Sequence, residues 1–257
     1  MSQLPDSPKA SLFVTCIIDQ FYPEVGESTV RVLRRLGVDL DFPKNQTCCG
    51  QPAFNSGFWS EARPLAERWL DQFDGDRDIV VPSGSCASMV RVFYEELLHN
   101  EPQLLEKTRR IGPRVYELSE YIVDVLGVTD VSSYTDKASG STGRKITYHE
   151  ACHLRRELGI ETQPRTLIGS CPGVELVEMR QAEVCCGFGG TFSVKYSDIS
   201  AAMLQDKIDN AVDTGADAVV ACDSSCLMQI AGGMDKQGVA MRPLHLAQLL
   251  DEAMGAG

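Results

Sequence analysis

Eight of the ten cysteines fall into two copies of one spaced pattern. Thirty-one residues separate Cys16 from Cys48-Cys49-Gly50, and 36 separate Cys49 from Cys86. Thirty-two residues separate Cys152 from Cys185-Cys186-Gly187, and 39 separate Cys186 from Cys226. Four soft thiolates recurring as a set are ligands for iron or zinc. The metal and cofactor candidates are therefore Cys16, Cys48, Cys49 and Cys86 in the first copy, and Cys152, Cys185, Cys186 and Cys226 in the second. Zinc held by four thiolates would use the same atoms, but its cysteines usually come in knuckles about two to four residues apart. A vicinal pair completed from more than thirty residues away suits a larger multi-iron object better, and zinc stands as the alternative.

Other polar residues near the cysteines have a chemical and a plain reading. Cys222 has no counterpart in the first half, where Pro82 stands; it is a possible fifth ligand or a small buried hydrophobe at a strand end. Cys171 lies in Gly169-Ser170-Cys171-Pro172-Gly173 without a partner pattern and reads as structural. Asp223 is a candidate oxygen ligand or catalytic proton donor, or else the cap of a helix starting near Cys226. His149 and His153 flank Cys152. Either could donate an N–H to sulfur, shuttle a proton or bind iron, with His153 the catalytic candidate; ordinary packing at a strand end is preferred for His149. His245 reads as structural. Gly187-Phe188-Gly189-Gly190 lacks the third glycine's spacing and the following acid of a dinucleotide fingerprint.

The elements that must position these residues alternate strand and helix. Apolar Leu12-Phe13-Val14 leads into Cys16, residues 38–42 form a second strand, and 78–81 a third that stops at Pro82-Ser83-Gly84. Helical periodicity covers 24–36, 59–73 (with Pro64 moving its start or kinking it), 87–99 and 115–126. Residues 128–144 are poor in large apolar side chains and rich in Ser, Thr, Gly and Asp, which predicts a linker. The same order then restarts, with strands at 145–148, 174–177 and 217–221 and helices at 198–212 and 244–254. Offsets between matched cysteines run from 136 through 137 to 140, an internal duplication with small loop insertions. The expected architecture is α/β, two duplicated layered halves with mainly parallel sheets: residues 1–127 and 145–257 as cysteine-rich domains, joined by 128–144. Cys16, Cys86, Cys152 and Cys226 each follow a strand at its carboxyl end, where helix N-termini offer free N–H groups to an anionic cluster. Vicinal side chains on an extended segment point apart, so both can face one site only where the backbone bends, as Gly50 and Gly187 permit.

Bulk composition narrows the function. The chain has 257 residues, 43% hydrophobic and 23% charged, as in a soluble globular protein. A net charge of −12 without a dense basic cluster disfavours nucleic acid and anionic lipid as partners, and suits a protein with a basic face. No apolar run reaches membrane-spanning length and the first residues lack a signal-peptide core, so no direct membrane insertion and a cytoplasmic location are expected, where thiols stay reduced.

The motifs Tyr148-His149-Glu150-Ala151-Cys152-His153, Cys185-Cys186-Gly187-Phe188-Gly189-Gly190-Thr191-Phe192, Pro82-Ser83-Gly84-Ser85-Cys86 and Asp223-Ser224-Ser225-Cys226-Leu227-Met228 resemble the cysteine-rich Cys-Cys-Gly domain family. That family includes the disulfide-cleaving subunit of heterodisulfide reductase and the iron–sulfur subunits of glycolate oxidase and anaerobic glycerol-3-phosphate dehydrogenase. The resemblance spans nearly the whole chain and is closest to the lactate-utilisation branch. It implies one or two iron–sulfur clusters of 4Fe-4S type, and an electron-transfer subunit of a multi-subunit complex oxidising L-lactate to pyruvate. Its partners would be the other subunits, at least one carrying ferredoxin-type clusters; no nucleic acid is implied. The chain lacks the ferredoxin-type motifs of the glycolate and glycerol-3-phosphate subunits. Ser83 and Asp223 stand where the heterodisulfide reductase relative has a fifth cysteine per cluster, so its non-cubane clusters are not carried over whole. Two alternatives stay open: a heterodisulfide-reductase-like role in which the cluster itself reduces a disulfide, and a zinc-stabilised interaction module.

Overall fold

The computed structural model describes residues 7–135 and 143–255. It contains two four-stranded sheets, every pairing parallel. The first holds β1 (Lys9–Leu12), β2 (Asp39–Asp41), β3 (Asp78–Val81) and β4 (Val115–Glu117) in the order β2-β1-β3-β4. The second holds β5 (Arg144–His149), β6 (Val174–Leu176), β7 (Ala218–Ala221) and β8 (Arg242–His245) in the order β6-β5-β7-β8. The topology is the same in both, so the duplicated α/β architecture read from the cysteine spacing is the fold. The central strands are buried runs such as Ile79-Val80-Val81 and Ala218-Val219-Val220-Ala221, as sheets covered by helices on their faces require.

The fourth strand of each sheet departs from expectation. Residues 115–126 and 244–254 read as helices, yet each segment opens with a short edge strand that turns directly into a helix. At the first turn Glu117 accepts from Ser119 N at 2.7 Å while Glu120 Oε2 accepts from Glu117 N at 3.2 Å. At the second, His245 Nδ1 accepts from Ala247 N at 3.1 Å and Gln248 Oε1 from His245 N at 3.0 Å. Both are reciprocal caps, but Glu and His are not the Ser, Thr, Asp or Asn that announce a helix start. Helical periodicity of the following residues therefore ran back over the strands. Pro64 neither breaks nor delays its helix, which begins at Trp59 and continues to Gln72.

The halves are fused through one core. Buried residues of both halves, among them Val80, Tyr121, Ile146 and Val220, belong to a single apolar cluster. The helix Pro23–Arg35 lies against Leu246–Ala253, where Arg31 meets the buried Asp251 at 2.7 Å. Within the predicted linker, Val131 is fully buried and its N–H donates to Ser170 Oγ at 3.2 Å, while residues 136–142 lie outside the described residues. A second cluster, built on Phe13, Trp69, Phe73 and Tyr94, fills the first half alone.

Candidate metal centre

Parallel strands deliver the cysteines to one place. Cys16 and Cys152 open the helices Cys16–Phe21 and Cys152–Arg156 beyond β1 and β5. Cys86 and Cys226 sit in the first turns of Gly84–Ser88 and Ser224–Gln237, beyond β3 and β7. The vicinal pairs come from loops that bend as their glycines allow: Gly50 has φ +86° and Gly187 φ +87°. A side chain is strained at both positions and is sterically excluded at Gly187. A Cβ on Gly50 would lie 3.3 Å from Ala62 O, and one on Gly187 only 2.7 Å from Ser200 O.

The sulfurs of each quartet form an unbroken chain of thiol contacts. In the first it runs from Cys16 to Cys48, Cys49 and Cys86, with Cys49 Sγ 3.4 Å from Cys86 Sγ; in the second it runs from Cys152 to Cys185, Cys186 and Cys226. All ten cysteines are free. S–H donation from Cys16 and Cys49 holds the Cys48 thiol well below its ordinary value, and Cys152 and Cys186 do the same for Cys185. The backbone N–H groups of Gly50 and Gly187 add donors at 3.4 and 3.3 Å. Cys49 and Cys186 are pushed up, first because they donate to those thiolates and then by burial. A metal cation bound by either quartet would displace the protons that its thiols hold.

Two thiolates bonded to one metal ion at ~2.3 Å in tetrahedral geometry sit about 3.8 Å apart, close to the Cys49–Cys86 spacing and far beyond a disulfide bond. Four converging sulfurs, partly or wholly buried at strand ends, are a donor set that fits an iron–sulfur cluster or a zinc ion.

Both quartets border the same cavity, of about 130 Å³, on the seam between the halves. Gly84 makes the close approach possible there, since a Cβ would meet Leu154 Cβ of the other half at 2.8 Å. Asp223 ties the seam together. Its carboxylate accepts from Ser225 N (3.0 Å) and Ser225 Oγ in its own half, and from Ser83 Oγ (3.0 Å) and Ser85 N (2.9 Å) in the other. Burial alone would raise this carboxyl, but those donors outweigh it and hold it below its ordinary value. It therefore caps the helix Ser224–Gln237 and also reaches across to the start of Gly84–Ser88. His245 makes a parallel crossing, with Nε2 3.1 Å from Pro82 O. Elsewhere between the halves Ser56 Oγ lies 2.6 Å from Thr191 Oγ1. Thr15, immediately before Cys16, lines the cavity with φ +64°, a strained value for a β-branched residue.

The remaining candidates separate. His153 lines the cavity, with Nδ1 3.2 Å from Glu157 Oε2 and its ring edge-on to Phe93. Cys222 is fully buried in the shared core, does not line the cavity, and receives the Tyr148 hydroxyl at 3.7 Å. Cys171 is buried and donates to Leu167 O, with its thiol pushed up to about 12 by burial. His149 is fully buried, and one of its ring nitrogens, Cys186 Sγ and Cys226 Sγ lie within 4.8 Å of one another. Lys207 is the residue that sequence reasoning passed over. It is 1% exposed, and its Nζ donates to the Gln181 and Ala182 carbonyls just ahead of Cys185. The available signal was a lysine on the inward face of its helix, at the place where the first repeat carries Trp69.

A fused pair of parallel α/β halves, each with a Cys-Cys-Gly quartet at its strand ends, defines a duplicated cysteine-rich protein. The family model described as a cysteine-rich domain matches residues 10–91 and again 146–231. Lactate utilization protein A of Halalkalibacterium halodurans is 42% identical over 243 residues, covering 95% of this chain and 96% of that protein. Its namesake from an Exiguobacterium species is 41% identical over 249 residues, with 96% and 98% covered. The chain belongs to the cysteine-rich Cys-Cys-Gly family, and within it to the lactate utilization protein A group. Among solved structures, a variant of arylmalonate decarboxylase aligns over 97% of this chain and 95% of its own, at 13% identity and TM-score 0.28, too slight a likeness to bear on function.

Proposed function

We propose that this chain is an iron–sulfur electron-transfer subunit of a cytoplasmic complex that oxidises L-lactate to pyruvate. The carrying observation is the convergence of two complete thiol quartets on one cavity. Relatives named for lactate utilization supply the substrate class. Cys16, Cys48, Cys49 and Cys86 would hold one cluster and Cys152, Cys185, Cys186 and Cys226 another. When bound, such clusters store and release single electrons. The chain's own part is to bind and shield. The thiolates supply the ligands, the Gly50 and Gly187 N–H groups stabilise sulfur charge, and the seam built on Asp223 fixes the distance between the quartets. A dehydrogenating partner and a ferredoxin-type iron–sulfur subunit would stand on either side of it in the electron path. Among the described residues no helix is long and apolar enough to cross a membrane.

A second reading draws on the cavity itself. A space of about 130 Å³ between the quartets, with His153 on its wall, is a place where a small disulfide could be reduced by two electrons and two protons. Anaerobic purification with iron, sulfide and zinc quantified, and EPR of oxidised and reduced samples, tests the proposal. It expects a brown protein with iron and sulfide in near-equal amounts. A colourless protein with stoichiometric zinc would refute it, and turnover of a disulfide by the isolated chain would favour the second reading.

A further inference from the structure

The repeat that makes the two thiolate sites alike breaks at two buried positions. The offset of 136 that maps Cys16 onto Cys152 maps Phe13 onto His149. The helices behind the Cys-Cys-Gly loops align at an offset of 138, because Gly50 faces Ala62 and Leu65 where Gly187 faces Ser200 and Met203. That alignment maps Trp69 onto Lys207. In the first half Phe13 and Trp69 pack edge to face, centroids 5.7 Å apart, inside an aromatic cluster. In the second half the same two places hold an imidazole and an ammonium, both essentially without solvent access.

Neither substitution is neutral toward sulfur. Lys207 Nζ is held by two carbonyls, Gln181 O at 2.6 Å and Ala182 O at 3.1 Å, with no carboxylate in direct contact among the described residues, and Glu183 acts on it only from farther off. Those carbonyls belong to the turn that leads into Cys185. Among the described residues neither ring nitrogen of His149 has a hydrogen-bond partner, though one lies within 4.8 Å of the Cys186 and Cys226 sulfurs. The Ala182 carbonyl also comes near the ring but already accepts from Glu150 N and Lys207 Nζ. The first half offers less: Phe13 has no donor, and Trp69 has a neutral indole N–H.

A cluster gains one negative charge on reduction. A fixed cation in a low-dielectric interior and a polar imidazole close to ligating sulfur both favour the reduced form. Asp223 opposes this, since its carboxylate bears on Cys152 and Cys226 of the second quartet; four donors, from Ser83, Ser85 and Ser225, surround that charge and reduce its reach, whereas no carboxylate is in direct contact with the Lys207 ammonium among the described residues.

Building on the redox reading above, we propose that His149 and Lys207 make the second thiolate site the electron-accepting end of the pair. A cluster held by Cys152, Cys185, Cys186 and Cys226 fills before one held by Cys16, Cys48, Cys49 and Cys86. In the transfer between them one electron leaves the reduced first cluster and enters the oxidised second, with no bond made or broken. Both residues act on the cofactor through its surroundings, as positioning residues.

The test is an EPR-monitored potentiometric titration of the full chain with clusters in place, each signal assigned by its loss in Cys86→Ser or Cys226→Ser. The native protein reduces the second site first. Lys207→Met weakens that site's electron affinity tenfold or more, about 59 mV for a one-electron couple, while the first site keeps its midpoint. Lys207→Arg retains the charge and stays within threefold of native. His149→Phe, which installs the first-half residue, narrows the gap between the sites. Simultaneous or reversed reduction in the native chain would overturn the proposal without any variant, as would a Lys207→Met titration superimposable on native. A chain that binds no iron and sulfide refutes instead the redox reading on which it rests.

Discussion

Replacing Gly187 by alanine tests the geometry of the second Cys-Cys bend inside a protein that carries its own control. The residue sits at φ +87°, and an added Cβ would lie 2.7 Å from Ser200 O and 3.2 Å from Met203 Cβ. The left-handed conformation costs a non-glycine residue about 1–2 kcal/mol. Forcing a methyl group against a packed helix backbone adds about 1–3 kcal/mol. The contact is with a carbonyl that cannot swing aside, since the loop is also fastened by Ser200 Oγ donating to Gly187 O at 2.8 Å. Gly187→Ala should therefore lose about 2–5 kcal/mol in urea unfolding of the metal-free chain, a sizeable part of the roughly 5–15 kcal/mol stability of an ordinary domain. Gly50→Ala has the same φ penalty, but its nearest contact is 3.3 Å, so it should lose only about 1–2 kcal/mol. Metal content should follow, with the second quartet emptied more than the first. Equal losses for the two variants, or a Gly187→Ala protein within about 0.5 kcal/mol of native, would refute the reasoning.

Three further outcomes follow from the seam and the buried caps. Asp223→Ala leaves Ser83, Ser85 and Ser225 donors without an acceptor and should cost about 2–4 kcal/mol in chemical denaturation; an unchanged midpoint would show that the halves do not depend on it. Gly84→Ala presses a methyl group to within 2.8 Å of Leu154 and should destabilise by about 1–3 kcal/mol, read as a lower Tm than that of Gly112→Ala, where nothing lies within 4 Å. Burial pushes the Glu117 carboxyl up to about 8 against the Ser119 donors. A folded pKa above the unfolded one means the native state holds its proton more tightly. That contribution is complete below an unfolded carboxyl value of about 4.3 and is lost as pH rises through about 8. Glu117→Gln should flatten the decline of stability across that window, and parallel pH profiles for both proteins would contradict it.

Cysteine spacing carried most of the fold, because a duplicated ligand set requires a duplicated frame. The strands ahead of Cys16, Cys86, Cys152 and Cys226, and the bends at Gly50 and Gly187, were readable for the same reason: a ligand must leave a strand end, and a vicinal pair must turn. The edge strands Val115–Glu117 and Arg242–His245 were not, since three or four residues give no period of two and their caps use Glu and His. Nor could spacing show that the quartets share one cavity. That arises from the packing of Gly84 on Leu154 and the reach of Asp223 to Ser85, contacts between residues some 70 and 138 positions apart. Lys207 was hidden by its helix, where a lone lysine on a mixed face reads as solvated. Its correspondence to Trp69 in the first repeat was the one signal, and the burial of its ammonium beside the Cys185 turn gives that signal its meaning. Cys222 shows the opposite hazard: a cysteine four residues from a candidate ligand, which the core claims instead.

Anomalous diffraction at the iron edge from anaerobically grown crystals reaches the central point most directly. Iron should appear on both sides of the cavity, one site ringed by Cys16, Cys48, Cys49 and Cys86 and the other by Cys152, Cys185, Cys186 and Cys226. Zinc at those positions, or iron bound away from the paired cysteines, would contradict the account.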